Sequence, residues 1–334
     1  MPKSQGKREE VMFVLGLQGS PRKKGNTASL LAAFLEEAGN LGARTRQLDV
    51  AKLNIHPCQE CGTCERKGFC PLDDDMQELY RLLWKADLIV MATPIFFYGP
   101  TAQLKALIDR SQALWARKYA HKLTDPGRKW RKGFMLAVGA TKGKNLFEGT
   151  ELTAKYFFDA VGAHFEGSLG YRMIEDRGDI AHHPTALADA REKARDLVGA
   201  LLKRKRVLFV CRENACRSQM AGAFAEFHFG DRLDVASAGS TPAANINPDM
   251  VRAMSEKGID LAYRRPAALN AVLESFLPEV MVYMGCEEAC PLVPGARVEQ
   301  WDIPDPAGKG IALMREIRDE LETKVRNLFG DGAP

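Results

Sequence analysis

A cysteine and an arginine with five residues between them, Cys211 and Arg217, lie in a polar loop between an apolar run and a helical pattern. The amides of a loop at a helix N-terminus turn inward and the helix dipole adds positive potential, so this loop predicts a site for a tetrahedral oxyanion. The same field favours thiolate over thiol, which makes Cys211 the candidate nucleophile and Arg217 the planar donor to the anion's oxygens. Asn214 inside the loop and Ser218 directly after Arg217 complete the candidate catalytic set, with the Ser218 hydroxyl placed to hydrogen-bond the thiolate.

The eight cysteines of the chain fall into two groups of four, and both groups predict reactive sites rather than structural disulfides. The first group fits four thiolates on one metal centre, and an iron–sulfur cluster, a structural zinc ion and free redox-active thiols remain alternatives for it. Two cysteines of the second group follow a later apolar strand, which predicts that they lie at the same sheet edge as the Cys211 loop. The candidate metal ligands are Cys58, Cys61, Cys64 and Cys70, and the two later thiols are Cys286 and Cys290.

The run Cys-x5-Arg-Ser followed by Gln219-Met220-Ala221 resembles the low-molecular-weight tyrosine phosphatase fold, and within it the arsenate reductase branch, over roughly residues 205–330. The resemblance implies that Cys211 binds arsenate and that Asp305, in an Asp-Pro pair, is the general acid, with Asp302 as the weaker candidate. It further implies that Cys286 attacks second, with release of arsenite, that Cys290 resolves the disulfide, and that thioredoxin is a candidate electron donor. Three residues separate these two cysteines, fewer than in the thioredoxin-linked members.

Two other functions fit the same loop. A protein tyrosine phosphatase acting on phosphate esters needs Cys211 but neither Cys286 nor Cys290. An arsenite or redox sensor would use the thiols for binding without appreciable turnover. Cys216, also inside the loop, is expected to face away from the anion and to be a spectator in any of these functions.

The loop from Gly19 to Thr27 follows the first predicted strand and opens a helix. Hydroxyls, Asn26 and backbone amides at a helix start suit a single terminal phosphate, and the glycine spacing of a dinucleotide fingerprint is absent from this loop. Two further loops, at 93–100 and 139–143, follow later strands and meet the same sheet edge.

These three loops resemble those of the NAD(P)H-dependent FMN reductase and flavodoxin-like family, from about residue 11 to 172. The resemblance implies FMN as cofactor, NAD(P)H as electron donor and a homo-oligomer. The first cysteine group resembles the motif of iron–sulfur flavoproteins, which implies a [4Fe-4S] cluster near the flavin. The candidate cofactor-binding residues are Ser20, Arg22, Lys24, Asn26, Thr27, Pro94, Ile95, Phe96, Phe97, Tyr98, Gly99 and Gly139. Simple core packing is the alternative for the three aromatic residues.

Alternation of apolar runs with helical patterns positions these loops and predicts an α/β fold with two doubly wound parallel-sheet domains. The strand, loop and helix opening occurs twice, at 11–38 and again at 206–229. We therefore predict a flavodoxin-like domain over 1–183, a helical linker over 184–205 and a low-molecular-weight phosphatase-like domain over 206–334.

Composition is that of an ordinary globular protein, because 46% of the 334 residues are hydrophobic and 27% are charged. A net charge of +4 with one dense basic run, 203–206, argues against a nucleic-acid partner. The short apolar run at 11–17 is unlike a signal peptide, and no stretch approaches the roughly 20 apolar residues of a membrane span. We expect a cytoplasmic protein with no membrane partner.

Overall fold

The computed structural model describes residues 12–285 and 293–330. This part of the chain divides into two compact units, an N-terminal unit over 12–202 and a C-terminal unit over residue 203 onward. Each unit is a parallel sheet covered by helices, which confirms the predicted fold class. No helix in the described ranges is long and apolar enough to cross a membrane.

The N-terminal unit has a five-stranded parallel sheet in the order β2-β1-β3-β4-β5. Strands β1, β3 and β4 are central and consist almost entirely of buried residues, whereas β2 and β5 at the edges are partly exposed. This contrast follows from burial on both faces of the central strands. The strands are β1 Phe13–Gln18, β2 Arg44–Asp49, β3 Leu88–Pro94, β4 Lys132–Val138 and β5 His164–Tyr171.

Eight α-helices belong to the described part of this unit. They are α1 Asn26–Asn40, α2 Thr63–Lys67, α3 Met76–Lys85, α4 Ala102–Arg110, α5 Gln112–Tyr119, α6 Glu148–Ala160, α7 Asp179–His182 and α8 Ala186–Gly199.

Helix α8 differs from the expected linker at 184–205. Its apolar face, which includes Ala190, Ala194 and Leu197, is buried in one core cluster together with Phe34 of α1. A free linker would leave this face in water, and its burial against α1 is favourable by about 25 cal/mol per Å². The helix therefore belongs to the N-terminal unit, and the change of unit comes after residue 202.

The C-terminal unit has a four-stranded parallel sheet in the order β7-β6-β8-β9. The strands are β6 Lys205–Cys211, β7 Leu233–Gly239, β8 Val280–Met284 and β9 Arg297–Trp301, and the helices are α9 Arg217–Phe229, α10 Pro248–Ser255, α11 Leu269–Leu273 and α12 Ile311–Phe329. Alternate residues of β6 face opposite sides, so that Phe209 joins the core under α9 and α12 while Leu208 joins the smaller core beside α11. A strand buried on both faces ends at Cys211 and fixes the position of that residue.

Candidate functional site

The loop between β6 and α9 is held by hydrogen bonds to its outward-facing carbonyl groups. The segment 240–247 supplies the donors from its backbone amides. They join Ser240 to the carbonyl of Cys211 (3.2 Å), Thr241 to Arg212 (2.8 Å), Ala243 to Glu213 (2.9 Å) and Asn247 to Ala215 (3.0 Å). In a trans peptide the N–H points opposite to the C=O. The amides that follow these carbonyls therefore point into the loop and form a cradle for an anion.

The thiol of Cys211 lies inside this cradle. Its Sγ is 3.0 Å from the Ser218 hydroxyl and accepts a hydrogen bond of 3.3 Å from the Asn214 amide. The Asn214 side-chain amide donates to the Ser218 oxygen at 2.7 Å, so the Ser218 hydroxyl hydrogen is left to point at the sulfur. Both neighbours are thus placed to donate a hydrogen bond to the Cys211 sulfur. The side chain of Cys211 is buried.

The loop needs close packing beneath it. Asn214 is fully buried and has φ +51°, a left-handed conformation that costs a non-glycine residue about 1–2 kcal/mol. Its side-chain oxygen accepts from the Ala267 amide at 2.9 Å and from Gln219 at 3.1 Å. Gly239 lies directly below, where an added Cβ would stand 2.8 Å from the Arg212 carbonyl oxygen. These contacts hold the loop in the shape that binds an anion.

Arg217 connects the cradle to the Asp-Pro segment. Its Nη1 donates to the Ile303 carbonyl at 3.0 Å and its Nη2 donates to Asp305 at 2.9 Å. Arg217 is buried, whereas the Asp305 side chain is 44% exposed and also accepts from the Ala307 amide. The structure therefore brings Asp305 into direct contact with the candidate clamp. Asp302 is exposed.

Cys216 and Glu213 are two further ionisable residues of the loop. Burial, together with the neighbouring Cys211 sulfur, raises the pKa of Cys216 to about 12, so this residue stays a thiol at neutral pH. The Glu213 side chain is exposed to solvent, where its charge is screened from the anion.

Cys286 and Cys290 lie outside the described residues. The residue before them, Gly285, has φ +65°, and a Cβ on it would stand 2.5 Å from the Arg217 guanidinium. The chain thus passes directly against the clamp one residue before Cys286.

In the N-terminal unit, the loop after β1 is tied to the neighbouring strand and helix. The Gly19 amide donates to the Ala92 carbonyl at 2.8 Å, and the Thr101 hydroxyl donates to the Gly19 carbonyl at 2.6 Å. The buried Ser20 hydroxyl accepts from the Arg22 amide at 3.2 Å. Gly25 stands at the N-cap of α1 and has no side chain to cap it, which leaves the first-turn amides to a ligand such as a phosphate.

Asn26 does not fill the phosphate-binding role expected for its side chain. Its Nδ2 donates to the Asp176 carbonyl at 2.7 Å, and its Oδ1 accepts from the amides of Gly178 and Ile180. Both ends of the amide are therefore used to fasten the segment after β5. Thr27 is buried in the first turn of α1, whereas Arg22 and Lys24 are exposed.

Aromatic side chains form the rim after β3. Phe96 and Gly99 exchange two backbone hydrogen bonds, and Phe97 (φ +49°) and Tyr98 (φ +62°) between them form a tight turn with the left-handed geometry of type I′. Phe96, Phe97 and Tyr98 are 51%, 104% and 50% exposed, so core packing does not explain them. Exposed rings at the edge where strands end fit one flat face of an isoalloxazine ring.

The loop after β4 lies beside this turn. The Ile95 amide donates to the Val138 carbonyl at 2.9 Å, which also places Pro94 at the end of the paired strands. An added Cβ on Gly139 would stand 3.8 Å from Ile95, and one on Gly143 would stand 2.6 Å from the Tyr98 hydroxyl. The three predicted loops therefore share one sheet edge, and their donors and rings fit a flavin mononucleotide.

The first cysteine group is only partly anchored. Cys58 and Cys61 are exposed, and Cys64 and Cys70 are half-buried. The hydrogen bond between the Cys61 thiol and the Thr63 hydroxyl lowers the pKa of Cys61, whereas burial raises the pKa of Cys64. Among residues 12–285 and 293–330, no three His, Cys, Asp or Glu side chains converge on a metal position. In this arrangement the four thiols do not fit a cluster or a zinc ion.

Comparison with known proteins identifies the two units. Residues 12–166 match the model of the NADPH-dependent FMN reductase family, and residues 206–332 match that of the low-molecular-weight phosphotyrosine protein phosphatase family. The chain belongs to both families. Its first part is 35% identical to an iron–sulfur flavoprotein of Methanosarcina thermophila over 153 residues, which are 46% of this chain and 74% of that protein.

The phosphatase-family part is 33% identical to arsenate reductase 1 of Staphylococcus epidermidis over 128 residues, 37% of this chain and 95% of that protein. A solved arsenate reductase from Archaeoglobus fulgidus is 31% identical, with a TM-score of 0.34, and the match covers 37% of this chain and 99% of that one.

Gly285→Ala tests the contact with Arg217. The added methyl group meets the guanidinium and the positive φ strains the backbone, so we expect at least a tenfold loss of phosphate affinity. The measurement is the protection of Cys211 from alkylation by phosphate. Gly295→Ala is the matched control, because Gly295 also has positive φ (+83°) but has open space around its Cβ position. Equal protection in both variants would show that Gly285 does not govern the clamp.

Proposed function

We propose that the C-terminal unit reduces arsenate to arsenite through Cys211, Cys286 and Cys290, and that the N-terminal unit is an NAD(P)H-linked FMN reductase. The observation that carries the first part is the Cys211 thiol inside an amide-lined loop, with Arg217 and Asp305 in contact beside it. The likeness to arsenate reductases over almost their whole length supports it.

Anion binding is the first step. The inward amides and the Arg217 guanidinium hold the oxygens of the arsenate, and the Cys211 sulfur at the base of the cradle faces the arsenic. When the anion takes the Nη2 donor of Arg217, the Asp305 carboxyl group loses this partner and is free to turn toward the leaving oxygen.

The chemical step then replaces one oxygen by sulfur. The Cys211 thiolate attacks arsenic, an S–As bond forms, and an As–O bond breaks as Asp305 gives its proton to the leaving hydroxyl oxygen, which departs as water. Ser218 and Asn214 hold the thiolate in place until it attacks.

Reduction follows by thiol exchange. The Cys286 thiolate attacks the Cys211 sulfur, an S–S bond forms, and the electron pair of the S–As bond stays on arsenic, which leaves as arsenite. Cys290 next displaces Cys211, so that two thiols are oxidised while As(V) becomes As(III). A dithiol donor such as thioredoxin reduces the Cys286–Cys290 disulfide. This cycle requires a reducing compartment, which the cytoplasm supplies.

The rim of the cradle favours a small anion over a phosphotyrosine. The described segments that border it, 240–247 and 302–309, contain no aromatic residue. A phosphotyrosine side chain gains much of its affinity from the burial of its ring against such groups. Arsenate has no ring, so the lack of aromatic residues in these segments does not weaken its binding.

In the N-terminal unit, FMN supplies hydride and single-electron chemistry when it is bound. Ser20 and the first-turn amides of α1 would hold its phosphate, and Phe96, Phe97 and Tyr98 would cover its ring. Arg22 and Lys24 add positive charge at the exposed side of this loop. These residues bind and orient the cofactor, and the donor NAD(P)H and a homo-oligomeric state are part of the proposal.

The four-cysteine segment is proposed as a metal-binding segment on its spacing and on the likeness to iron–sulfur flavoproteins. Because no three ligand side chains converge among the described residues, metal binding would require the four cysteines to move closer together. The anchors of this segment include Arg110, which donates to the His56 carbonyl at 2.8 Å, and Arg117, which donates to the Gly68 carbonyl at 2.7 Å.

Cysteine replacements separate the three functions of the C-terminal unit. We expect anaerobic arsenite production from arsenate with thioredoxin, none with Cys211→Ser, and loss of turnover with Cys286→Ser or Cys290→Ser. Cys216→Ser is the matched control and should keep turnover, since this thiol does not ionise at neutral pH. Ester hydrolysis that needs Cys211 alone would identify a phosphatase, and tight arsenite binding without turnover would identify a sensor.

Ser20→Ala tests the flavin site. Loss of a hydrogen bond to a charged phosphate, about 1.5–3 kcal/mol, should weaken FMN binding by about 10-fold to 100-fold. Fluorescence titration of deflavinated protein measures this affinity. Ser29→Ala is the control, because Ser29 lies on the same helix with an exposed side chain. Equal affinities in the two variants would place the phosphate elsewhere.

Anaerobic reconstitution with iron and sulfide tests the cysteine segment. A [4Fe-4S] cluster predicts ~4 iron atoms and the matching visible absorbance per chain, with loss of both in Cys64→Ser and retention in Cys216→Ser. Stoichiometric zinc in the isolated protein would favour a structural zinc site, and absence of both metals would leave free thiols.

A further inference from the structure

Gln219 is the buried polar residue next to the oxyanion loop that the catalytic steps above do not use. It is 2% exposed and lies in the first turn of α9. Its Nε2 stands 3.1 Å from the Asn214 carbonyl oxygen, 3.1 Å from Asn214 Oδ1 and 3.2 Å from the Arg265 carbonyl oxygen. All three neighbours are acceptors, so the amide has one orientation: a flipped amide would set oxygen against three oxygens.

We propose that Gln219 is a positioning residue, which keeps the loop in its anion-binding shape by holding both the backbone and the side chain of Asn214. This positioning role belongs to the anion-binding loop of the proposed reductase. Only the arsenate-turnover readout rests on the proposed function.

The hydrogen bond from Gln219 to the Asn214 carbonyl gives the last of the outward-facing loop carbonyls its donor. The segment 240–247 satisfies the carbonyls of Cys211, Arg212, Glu213 and Ala215, but not that of Asn214. Gln219 supplies this missing donor. Without it, the peptide between Asn214 and Ala215 is free to rotate and to turn its carbonyl oxygen toward the anion.

The hydrogen bond from Gln219 to the Asn214 side chain orients the Ser218 hydroxyl, which lies next to the Cys211 sulfur. An Asn amide carries its oxygen and nitrogen on opposite sides. Gln219 and the Ala267 amide both donate to Oδ1 of Asn214. These two hydrogen bonds therefore direct Nδ2 of Asn214 at the Ser218 oxygen. Ser218 then has its hydrogen left for Cys211. Gln219 thus acts on the nucleophile through two other residues.

Gln219→Met tests this role, because methionine has similar length and no donor. Gln219→Glu places acceptors against the three oxygens, so its effect on the readouts below should be larger than that of Gln219→Met. Gln300→Met is the matched control, since Gln300 is exposed on β9. The readouts are the pH dependence of iodoacetamide labelling of the Cys211 peptide by mass spectrometry, protection by phosphate, and KM and kcat for arsenate.

We expect Gln219→Met to label Cys211 about tenfold more slowly at pH 7, with the labelling curve moved to higher pH, and to need about tenfold more phosphate for protection. KM for arsenate should rise as well. Thermal melting checks folding, and Gln219→Ser serves if the methionine variant does not fold.

Labelling and protection curves of Gln219→Met that coincide with those of Gln300→Met would overturn the positioning role. These readouts do not involve arsenate reduction. A wild-type protein that fails to reduce arsenate would therefore remove the proposed function while leaving this inference open to the same test.

Discussion

The anion site depends on where five consecutive carbonyl groups point. From Cys211 to Ala215 each carbonyl oxygen has a donor on the outside of the loop, four from the segment 240–247 and one from Gln219. Peptide planarity then turns the following N–H groups inward without any side chain being needed for the purpose. The cationic clamp, the thiol and its two donors all take their geometry from this arrangement. A loop with even one inward carbonyl would oppose the charge that it has to bind.

The two ligand loops of the chain are both suited to an anion, but they enclose their ligand to different degrees. Both follow a buried parallel strand and precede a helix N-terminus, where dipole and free amides attract an anion. After β6 the reactive thiol is buried and the loop is packed on Gly239, because the chemistry requires a desolvated nucleophile at a fixed distance. After β1 the basic residues are exposed, as is the aromatic turn at Phe97 after β3, because a flavin also needs a long, open edge on which to lie.

The sequence was informative wherever the signal was local. Apolar runs identified the central strands, and the spacing of Cys211 and Arg217 identified the loop that the structure closes around the thiol. Contacts from distant segments were missed: nothing in the pattern of 240–247 indicates that its amides satisfy that loop, and Gln219 drew notice only as a marker of resemblance. The residue type of Asn26 predicts a phosphate contact, whereas the segment at 176–180 uses both ends of its amide. The sequence of α8 predicts a linker because its charged residues hide an apolar face, and the packing partner of that face, α1, is distant in the chain.

In the proposed mechanism, the contact between Arg217 and Asp305 links anion binding to the acid step. In the structure the Arg217 guanidinium donates one hydrogen bond to the Asp305 carboxylate and another to the Ile303 carbonyl. In the proposed mechanism, an anion that enters the cradle competes for the first of these donors and releases the Asp305 carboxyl group from the guanidinium. Substrate binding would then leave the acid free to turn toward the leaving oxygen. The half-exposed position of Asp305 suits this proposed role, because a carboxyl group that donates a proton in each turnover has to collect another one from solvent.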